Sequence, residues 1–218
     1  MIKRIFSLLV CFVILFSFVA CSSGSTLLVL TFENDKTTFD ELSDALSERL
    51  DKLYISDTNI DITSSSESEL NVHVTGTRLS DKQVKILLYS ESLNVKDSNG
   101  KVVLTSDDFT DCSVGFDPSM SDGTGENGCY VKLTFTDDGA EKFKELTRSL
   151  SSEAKEKDRQ LFFFCGKELI YEPVINSTVI SKDIMLTGEF TLEECVLSSA
   201  QIFSAIKPLP CLVEVKLE

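Results

Sequence analysis

The spacing of hydrophobic residues along this chain switches repeatedly between the period of strands and that of helices. These switches restrict the fold more than any other feature. The run TLLVLTF, residues 26–32, has the length and composition of a buried strand. Thr38 and Glu41 then form a capping box before apolar residues at helical spacing, namely Phe39, Leu42, Leu46, Leu50 and Leu53. Two segments with the two-residue period of strands follow, NIDIT and ELNVHV. A second helix opens at Ser80 and Gln83, and LNVKD comes next as a strand. This order, β-α-β-β-α-β, predicts a ferredoxin-like unit.

The second half alternates strands and helices in the same style. CSVGF and CYVKLTF flank a loop rich in Gly, Asp and Asn, and a helix is predicted from about Asp138 to Ser151. LFFFC is typical of a buried strand, Thr191 and Glu194 cap another helix, and LVEVKL closes the chain as an alternating strand. The first unit offers this last strand the nearest incomplete sheet. We therefore expect an α+β fold with a ferredoxin-like base, residues 26–104 completed by strand 211–217, and an inserted α+β head, residues 105–210.

The N-terminus has the pattern of a secretory leader. Lys3 and Arg4 precede an uncharged apolar run over residues 5–20, which is too short to span a bilayer as a helix. The run ends in Phe18-Val19-Ala20-Cys21, which resembles a bacterial lipobox. That resemblance implies cleavage of a signal peptide, residues 1–20, lipidation of Cys21, and a flexible tether over residues 21–25 at the extracytoplasmic face of the cytoplasmic membrane. An ordinary signal peptide with an incidental cysteine is the alternative.

Charge and cysteine content exclude several classes of function. Removal of the leader moves the formal net charge from −14 to −16, so no basic groove for nucleic acid is expected. Five cysteines remain besides Cys21, and an odd number leaves at least one thiol unpaired. Cys112 and Cys129 flank one predicted hairpin and are a candidate disulfide pair, whereas Cys165, Cys195 and Cys211 have apolar surroundings typical of small core residues.

No catalytic or metal-binding pattern stands out. His73, the only histidine, lies in an alternating strand, where a structural position outweighs a role as base. Asp137 and Asp138 precede a helix and favour its dipole. A calcium loop at Asp117, Asp122 and Glu126 lacks the alternating ligand order with a final bidentate glutamate. We expect no enzyme, no metal and no cofactor, with thiol-dependent activity at an unpaired cysteine as the enzymatic alternative.

Several short motifs, in order along the chain, resemble the first periplasmic domain of SecD, the accessory subunit of the bacterial Sec export channel. Around FTDDGAEKFKELT the matching residues are Val131, Leu133, Phe135, Gly139, Phe143, Leu146 and Thr147. In LTGEFTLEEC they are Thr187, Gly188, Phe190, Thr191 and Glu194. The remaining matches are Arg49-Leu50-Asp51-Lys52-Leu53, Gly76, Pro173-Val174-Ile175 and Leu209-Pro210. The resemblance implies a ferredoxin-like base with an inserted head, as the element order predicts.

The departures from the SecD pattern restrict the function. The family's Gly-Leu-Asp-Leu-Gln-Gly-Gly stretch and its transmembrane helices are missing, Tyr54 replaces a glycine, and Cys165 replaces a common aspartate. The resemblance implies a non-enzymatic lipoprotein that binds unfolded secreted polypeptide or Sec translocon components. A candidate peptide-binding edge consists of Tyr171, Glu172, Pro173, Val174 and Ile175, because strand edges accept a guest strand. A structural or envelope-interaction lipoprotein without an export role is the alternative.

Overall fold

The computed structural model describes residues 24–32, 37–55, 59–66, 68–120, 128–188, 190–209 and 213–216. Cys21, Cys211, Asp122 and Glu126 lie outside these residues, as do the leader and most of the tether. Within the described ranges, every helix is too short or too polar to cross a membrane.

The first sheet and two helices form the base. Its four antiparallel strands have the order β11-β1-β3-β2, with β1 at Thr26–Thr31, β2 at Ile60–Ser66, β3 at Glu69–Val74 and β11 at Glu214–Lys216. Helices α1 (Phe39–Lys52) and α2 (Asp81–Leu87) pack on one face, and both begin at the capping boxes that the sequence predicts. The described part of the C-terminal strand pairs with β1, with Leu30 opposite Val215, so the prediction that this strand joins the base is confirmed.

The strand LNVKD does not belong to the base sheet, and its assignment there is wrong. This strand, β4 (Leu93–Asp97), pairs with β5 (Val102–Thr105) on one side and with β8 (Leu161–Cys165) on the other. The resulting sheet has the order β5-β4-β8-β9, with β9 at Glu168–Tyr171. Period-two alternation identifies a strand but not its partner, and β11 occupies the base position instead. The division of the chain at residues 104 and 105 stays a proposal, and strand pairing favours a boundary between α2 and β4.

A three-stranded sheet and two longer helices complete the head. The sheet has the order β10-β7-β6, with β6 at Phe109–Phe116, β7 at Cys129–Phe135 and β10 at Asp183–Leu186. Helix α3 (Asp137–Ser151) begins at an N-cap on Thr136, one residue earlier than expected, and places Asp137 and Asp138 in its first turn as predicted. Helix α4 (Leu192–Ile206) begins at the predicted box of Thr191 and Glu194.

Helix α4 contributes to both hydrophobic cores of the molecule. Leu197 and Ala200 are buried in the core of the base, against α1 and α2. Ile202, Phe203 and Ile206 are buried in the core of the head, together with the strands of its two sheets. Beyond its first turn the helix is therefore buried nearly all round, as expected for an element that lies between two layers.

The candidate disulfide between Cys112 and Cys129 is contradicted by the strand register. On the paired strands β6 and β7, Cys112 lies opposite Leu133, whereas Cys129 lies opposite Phe116. The two cysteines are thus offset by four residues, roughly 13 Å along a strand, while bridged Cα atoms lie within about 7 Å. Both thiols are free and buried, as are those of Cys165 and Cys195, which confirms the core positions predicted for the last two.

Candidate functional site

A solvent-open apolar groove lies where the base meets the head. Its volume is about 760 Å³, and we call it the junction groove. The base contributes the end of α1 and the start of α2, and the head contributes the end of β6 and the first turns of α4. The lining residues are Leu53, Tyr54, Gln83, Val114, Gly115, Phe116, Leu192, Glu193, Val196 and Leu197. A groove of this size accommodates several side chains of a bound molecule.

Three large hydrophobic side chains on its walls are exposed to solvent. The exposed fractions are 68% for Tyr54, 55% for Phe116 and 61% for Leu192. Each comes from a different part of the fold. Tyr54 follows the C-cap of α1, Phe116 is the last residue of β6, and Leu192 is the first residue of α4. A soluble domain rarely clusters exposed apolar side chains around one concavity unless that surface contacts a partner.

Tyr54 occupies a backbone position that ordinarily selects glycine. Helix α1 ends in a Schellman motif, in which Tyr54 N–H donates to the Asp51 carbonyl at 2.8 Å and Ile55 N–H donates to the Leu50 carbonyl at 3.0 Å. Burial of Leu50 and Ile55 holds this motif in place. The motif requires a positive φ at the residue that follows the C-cap. That residue is Tyr54, and its φ is 58°. A side chain at such a position costs about 1 kcal/mol relative to glycine, so the tyrosine is retained against a local backbone preference.

The opposite wall is shaped by glycines on the β6–β7 hairpin. A Cβ at Gly115 would overlap the ring of Tyr130, its cross-strand partner, so that ring lies across the β6 backbone. A Cβ at Gly128 would come within 2.7 Å of the Phe116 ring, so this ring packs against Gly128. More than half of the Phe116 side chain is nevertheless exposed, and the residue lines the groove. Phe116 is thus held in place while remaining half accessible.

A smaller depression adjoins the junction groove and is more polar. Its volume is about 210 Å³, it shares Tyr54 and Val114 with the larger groove, and its other lining residues are Asp51, Lys52, Ser113 and Ser199. Lys52 Nζ donates to Asp111 Oδ1 at 2.6 Å, so the lysine charge is compensated within the protein. The exposed carboxylate of Asp51 remains in this depression, and exposed Glu193 lies on the rim of the larger groove. The local charge around both openings is therefore acidic.

The edge at Tyr171–Ile175 lies elsewhere on the head. Segment 173–175 runs beside the start of β8, where Leu161 N–H donates to the Pro173 carbonyl and Ile175 N–H donates to the Arg159 carbonyl. Val174 forms a bridge with Gln160, Tyr171 Oη donates to the Thr187 carbonyl at 2.6 Å, and Ile175 is buried. One side of this edge is thus occupied by the protein itself, and Pro173 has no N–H for a guest strand. Peptide binding here stays a proposal, with Glu172 as its most exposed polar residue.

The residues weighed for catalysis are not brought together. His73 lies on β3, opposite Leu27 and Asp61, on the face of the base sheet away from the helices. Burial raises the pKa of Cys165 and of Cys195 to about 12 and that of Cys112 well above its usual range. A thiol nucleophile needs accessible thiolate, so these three cysteines do not support a thiol-dependent activity. Asp117 accepts hydrogen bonds from Ser119, and among the described residues His, Cys, Asp and Glu form no group that could hold a metal ion.

Sequence reasoning missed the junction groove. It identified Tyr54 only as a departure from the SecD pattern, and it did not single out Leu192. The signal for Tyr54 was that same departure, since a bulky residue at a glycine position needs a reason. No sequence signal brings the α1 end, the β6 end and the α4 start together, because these elements are about 60 or more residues apart along the chain.

Comparisons with known proteins agree on one family. The model of the SecDF P1 head subdomain matches residues 87–202, more than half of the chain, and this range includes β4 and β5. A protein translocase subunit SecD from Dictyoglomus turgidum is 22% identical over 189 residues, which cover 83% of this chain and 44% of the relative. Another SecD, from Desulfurispirillum indicum, is 28% identical over 109 residues, which cover 50% of this chain and 19% of the relative. The chain thus spans less than half the length of these curated relatives.

Two solved structures share the fold. A crystal structure of SecDF in a super-membrane-facing form aligns with a TM-score of 0.56 at 20% identity, over 88% of this chain and 30% of the solved one. A structure described as belonging to a membrane component SecDF that enhances protein export aligns with a TM-score of 0.54 at 18% identity, over 88% of this chain and 98% of the solved one. The second alignment indicates that the base and head together match an entire solved chain.

Proposed function

The chain belongs to the SecDF P1 head subdomain family, and from this premise we propose that it is a non-enzymatic protein-translocation domain that binds extended polypeptide. The observation that carries the proposal is the junction groove, with the exposed side chains of Tyr54, Phe116 and Leu192 on its walls. Export accessories meet polypeptides before those chains bury their apolar residues, and an open apolar groove suits such a ligand.

The acidic residues beside the groove favour some polypeptide ligands over others. Asp51 and Glu193 place carboxylates beside the two openings, and the chain carries a formal net charge of −14. An acidic surface repels acidic ligands and attracts segments with lysine or arginine. The proposed ligand is therefore an extended polypeptide that presents apolar residues with nearby basic residues. Nucleic acid is disfavoured by the same charge.

Membrane attachment through Cys21 belongs to the same proposal. The lipobox-like end of the leader supports lipidation, and the Ser-rich tether would let the base stand away from the bilayer. The domain would then work at the extracytoplasmic face of the cytoplasmic membrane, near the exit of the Sec translocon. The edge at Tyr171–Ile175 would supply a secondary contact.

Photocrosslinking in bacterial cells tests the proposed function. A photoreactive amino acid is placed at Phe116 in the groove, at Tyr171 on the edge, and at exposed Glu153 beyond α3 as the control. We expect secreted precursors or Sec channel subunits among the adducts from Phe116, and few from Glu153. Adducts only to wall or envelope proteins would contradict an export role and favour the structural alternative. Deletion of the gene that encodes this chain also distinguishes the export role from the structural role, because only an export role predicts that unexported precursors accumulate.

A further inference from the structure

Two residues at the end of α1 break local rules of helix termination, and they are three positions apart. Tyr54 has φ of 58°, a conformation in which glycine is preferred. Asp51 lies in the last turn of α1, where a carboxylate faces the negative end of the helix dipole. Neither residue is buried, so core packing does not explain their presence. Local conflicts of this kind concentrate at functional sites.

The two residues line the same small depression, and Tyr54 also lines the groove beside it. Tyr54 lines the junction groove and also the smaller depression, so it forms part of the boundary between them. Asp51 lines the smaller depression only. The neighbouring cation, Lys52, is held by Asp111 and lies 4.6 Å from the centre of the Phe203 ring, so it is not free to neutralise Asp51. An aromatic surface therefore stands beside the exposed carboxylate of Asp51.

We propose that Tyr54 and Asp51 set the ligand preference of this cleft, selecting an extended segment in which an apolar side chain is followed closely by arginine or lysine. The apolar side chain occupies the junction groove against Tyr54 and Phe116. The cationic side chain crosses Tyr54 into the smaller depression and pairs with Asp51. This inference rests on the proposed function, because it names the ligand chemistry of the same site.

The geometry of an extended chain fits this arrangement. Residues two apart in a strand point to the same side, roughly 7 Å from each other. A long basic side chain can extend its aliphatic part over an aromatic ring while its charged end reaches a carboxylate. The net acidic charge of the chain also favours the approach of such a segment.

The test measures binding of labelled peptides to the purified full chain in detergent micelles by fluorescence anisotropy. The probes are decapeptides in a Gly-Ser background: one has Phe with Arg two residues later, one has Glu in place of Arg, and one has Ser in place of Phe. The protein variants are Tyr54→Gly, Tyr54→Phe, Asp51→Asn and Phe116→Ser. Thermal unfolding of each variant is followed by circular dichroism.

We expect Tyr54→Gly to weaken binding of the Phe-Arg peptide about tenfold, as loss of an aromatic contact predicts. Its unfolding temperature should be unchanged or higher, because glycine suits the backbone there. Tyr54→Phe should bind like the wild type. Asp51→Asn should reduce the preference for the Arg peptide over the Glu peptide several-fold while leaving binding of the Phe group intact.

Two results would overturn the inference and can be told apart. If Tyr54→Gly and Asp51→Asn bind every peptide like the wild type while Phe116→Ser weakens binding, the groove binds polypeptide but these two residues do not select it. If the wild type binds none of the peptides, or Phe116→Ser also has no effect, the proposed function of the groove fails together with the inference.

Discussion

Arg49 connects three helices although it has no carboxylate partner among its hydrogen bonds to described residues. Its side chain is 1% exposed, and it donates to the carbonyls of Leu87 at 2.7 Å, Ser204 at 3.2 Å and Lys207 at 2.7 Å. These carbonyls belong to the C-terminal ends of α2 and α4, where the helix dipoles are negative. Burial lowers the pKa of Arg49 to about 10, which leaves the guanidinium charged at neutral pH.

Replacing Arg49 should therefore destabilise the whole molecule. We expect Arg49→Met to reduce the free energy of unfolding by about 2–4 kcal/mol, because two buried carbonyls and one partly buried carbonyl lose their donor. Urea denaturation followed by circular dichroism measures this. Arg148→Met is the matched control, since Arg148 is exposed and forms an ion pair with Glu145 on its own helix; its effect should stay within about 0.5 kcal/mol. Equal losses for the two variants would contradict the role of Arg49.

Three helices begin with a capping box, and its third helical residue is an ionisable glutamate in two of them and a neutral glutamine in the other. Thr38 and Glu41 cap α1, Thr191 and Glu194 cap α4, and α2 uses Ser80 with the neutral Gln83. Hydrogen bonds from the N-cap residue, its backbone N–H first, lower the pKa of Glu41 and of Glu194 below the usual 4.5. A carboxyl with a lowered pKa in the folded state stabilises its helix above the unfolded pKa, and that stabilisation is lost as the pH falls through the folded value.

The boxes should consequently differ in their response to acid. Between about pH 6 and about pH 3, amide protection at the first turns of α1 and α4 should fall, whereas protection at the start of α2 should stay nearly constant. Hydrogen exchange read by nuclear magnetic resonance measures each helix separately. The reciprocal variants provide the control: Glu41→Gln should flatten the response of α1, and Gln83→Glu should create one in α2. A uniform response of all three helices would show that the boxes are not its source.

At the scale of the whole molecule, α4 joins the base and the head into one unit. The same helix places Ala200 in the base core and Phe203 in the head core. Two further contacts connect the layers: Lys52 on α1 pairs with Asp111 on β6, and Lys207 pairs with Glu48 of α1 at 2.8 Å. Neither core can lose its packing without exposing one side of α4, so the two should unfold together.

A destabilising substitution in the base should therefore also lower the stability of the head. Leu46 is fully buried in the base core, and we expect Leu46→Ala to cost about 2–5 kcal/mol. If unfolding is cooperative, exchange of the β4 and β8 amides in the head should accelerate by the factor that corresponds to this loss. Native-state hydrogen exchange measures it. Faster exchange confined to the base strands would indicate two independently unfolding units.

Most of the local structure could be predicted, because its causes lie within a few residues. The capping boxes at Thr38, Ser80 and Thr191 mark three helix starts, and two-residue alternation identifies β3 and β7. The junction groove could not be predicted, because Tyr54, Phe116 and Leu192 are exposed residues whose proximity depends on how the head packs on the base. The pairing proposed for Cys112 and Cys129 failed because it required a register that sequence spacing does not determine.

By itself, the sequence determined most of the helices and strands, the β-α-β-β-α part of the ferredoxin-like base, and the return of the last strand to it. These follow from periodicity, capping and turn chemistry, which act over short distances. Only the tertiary structure decided that β4 joins the head, that α4 serves both cores, and that an exposed tyrosine at φ 58° faces a groove. Those outcomes depend on competition among distant segments for the same sheet edges and apolar surfaces. Local sequence patterns do not indicate which segment will occupy a given edge or surface.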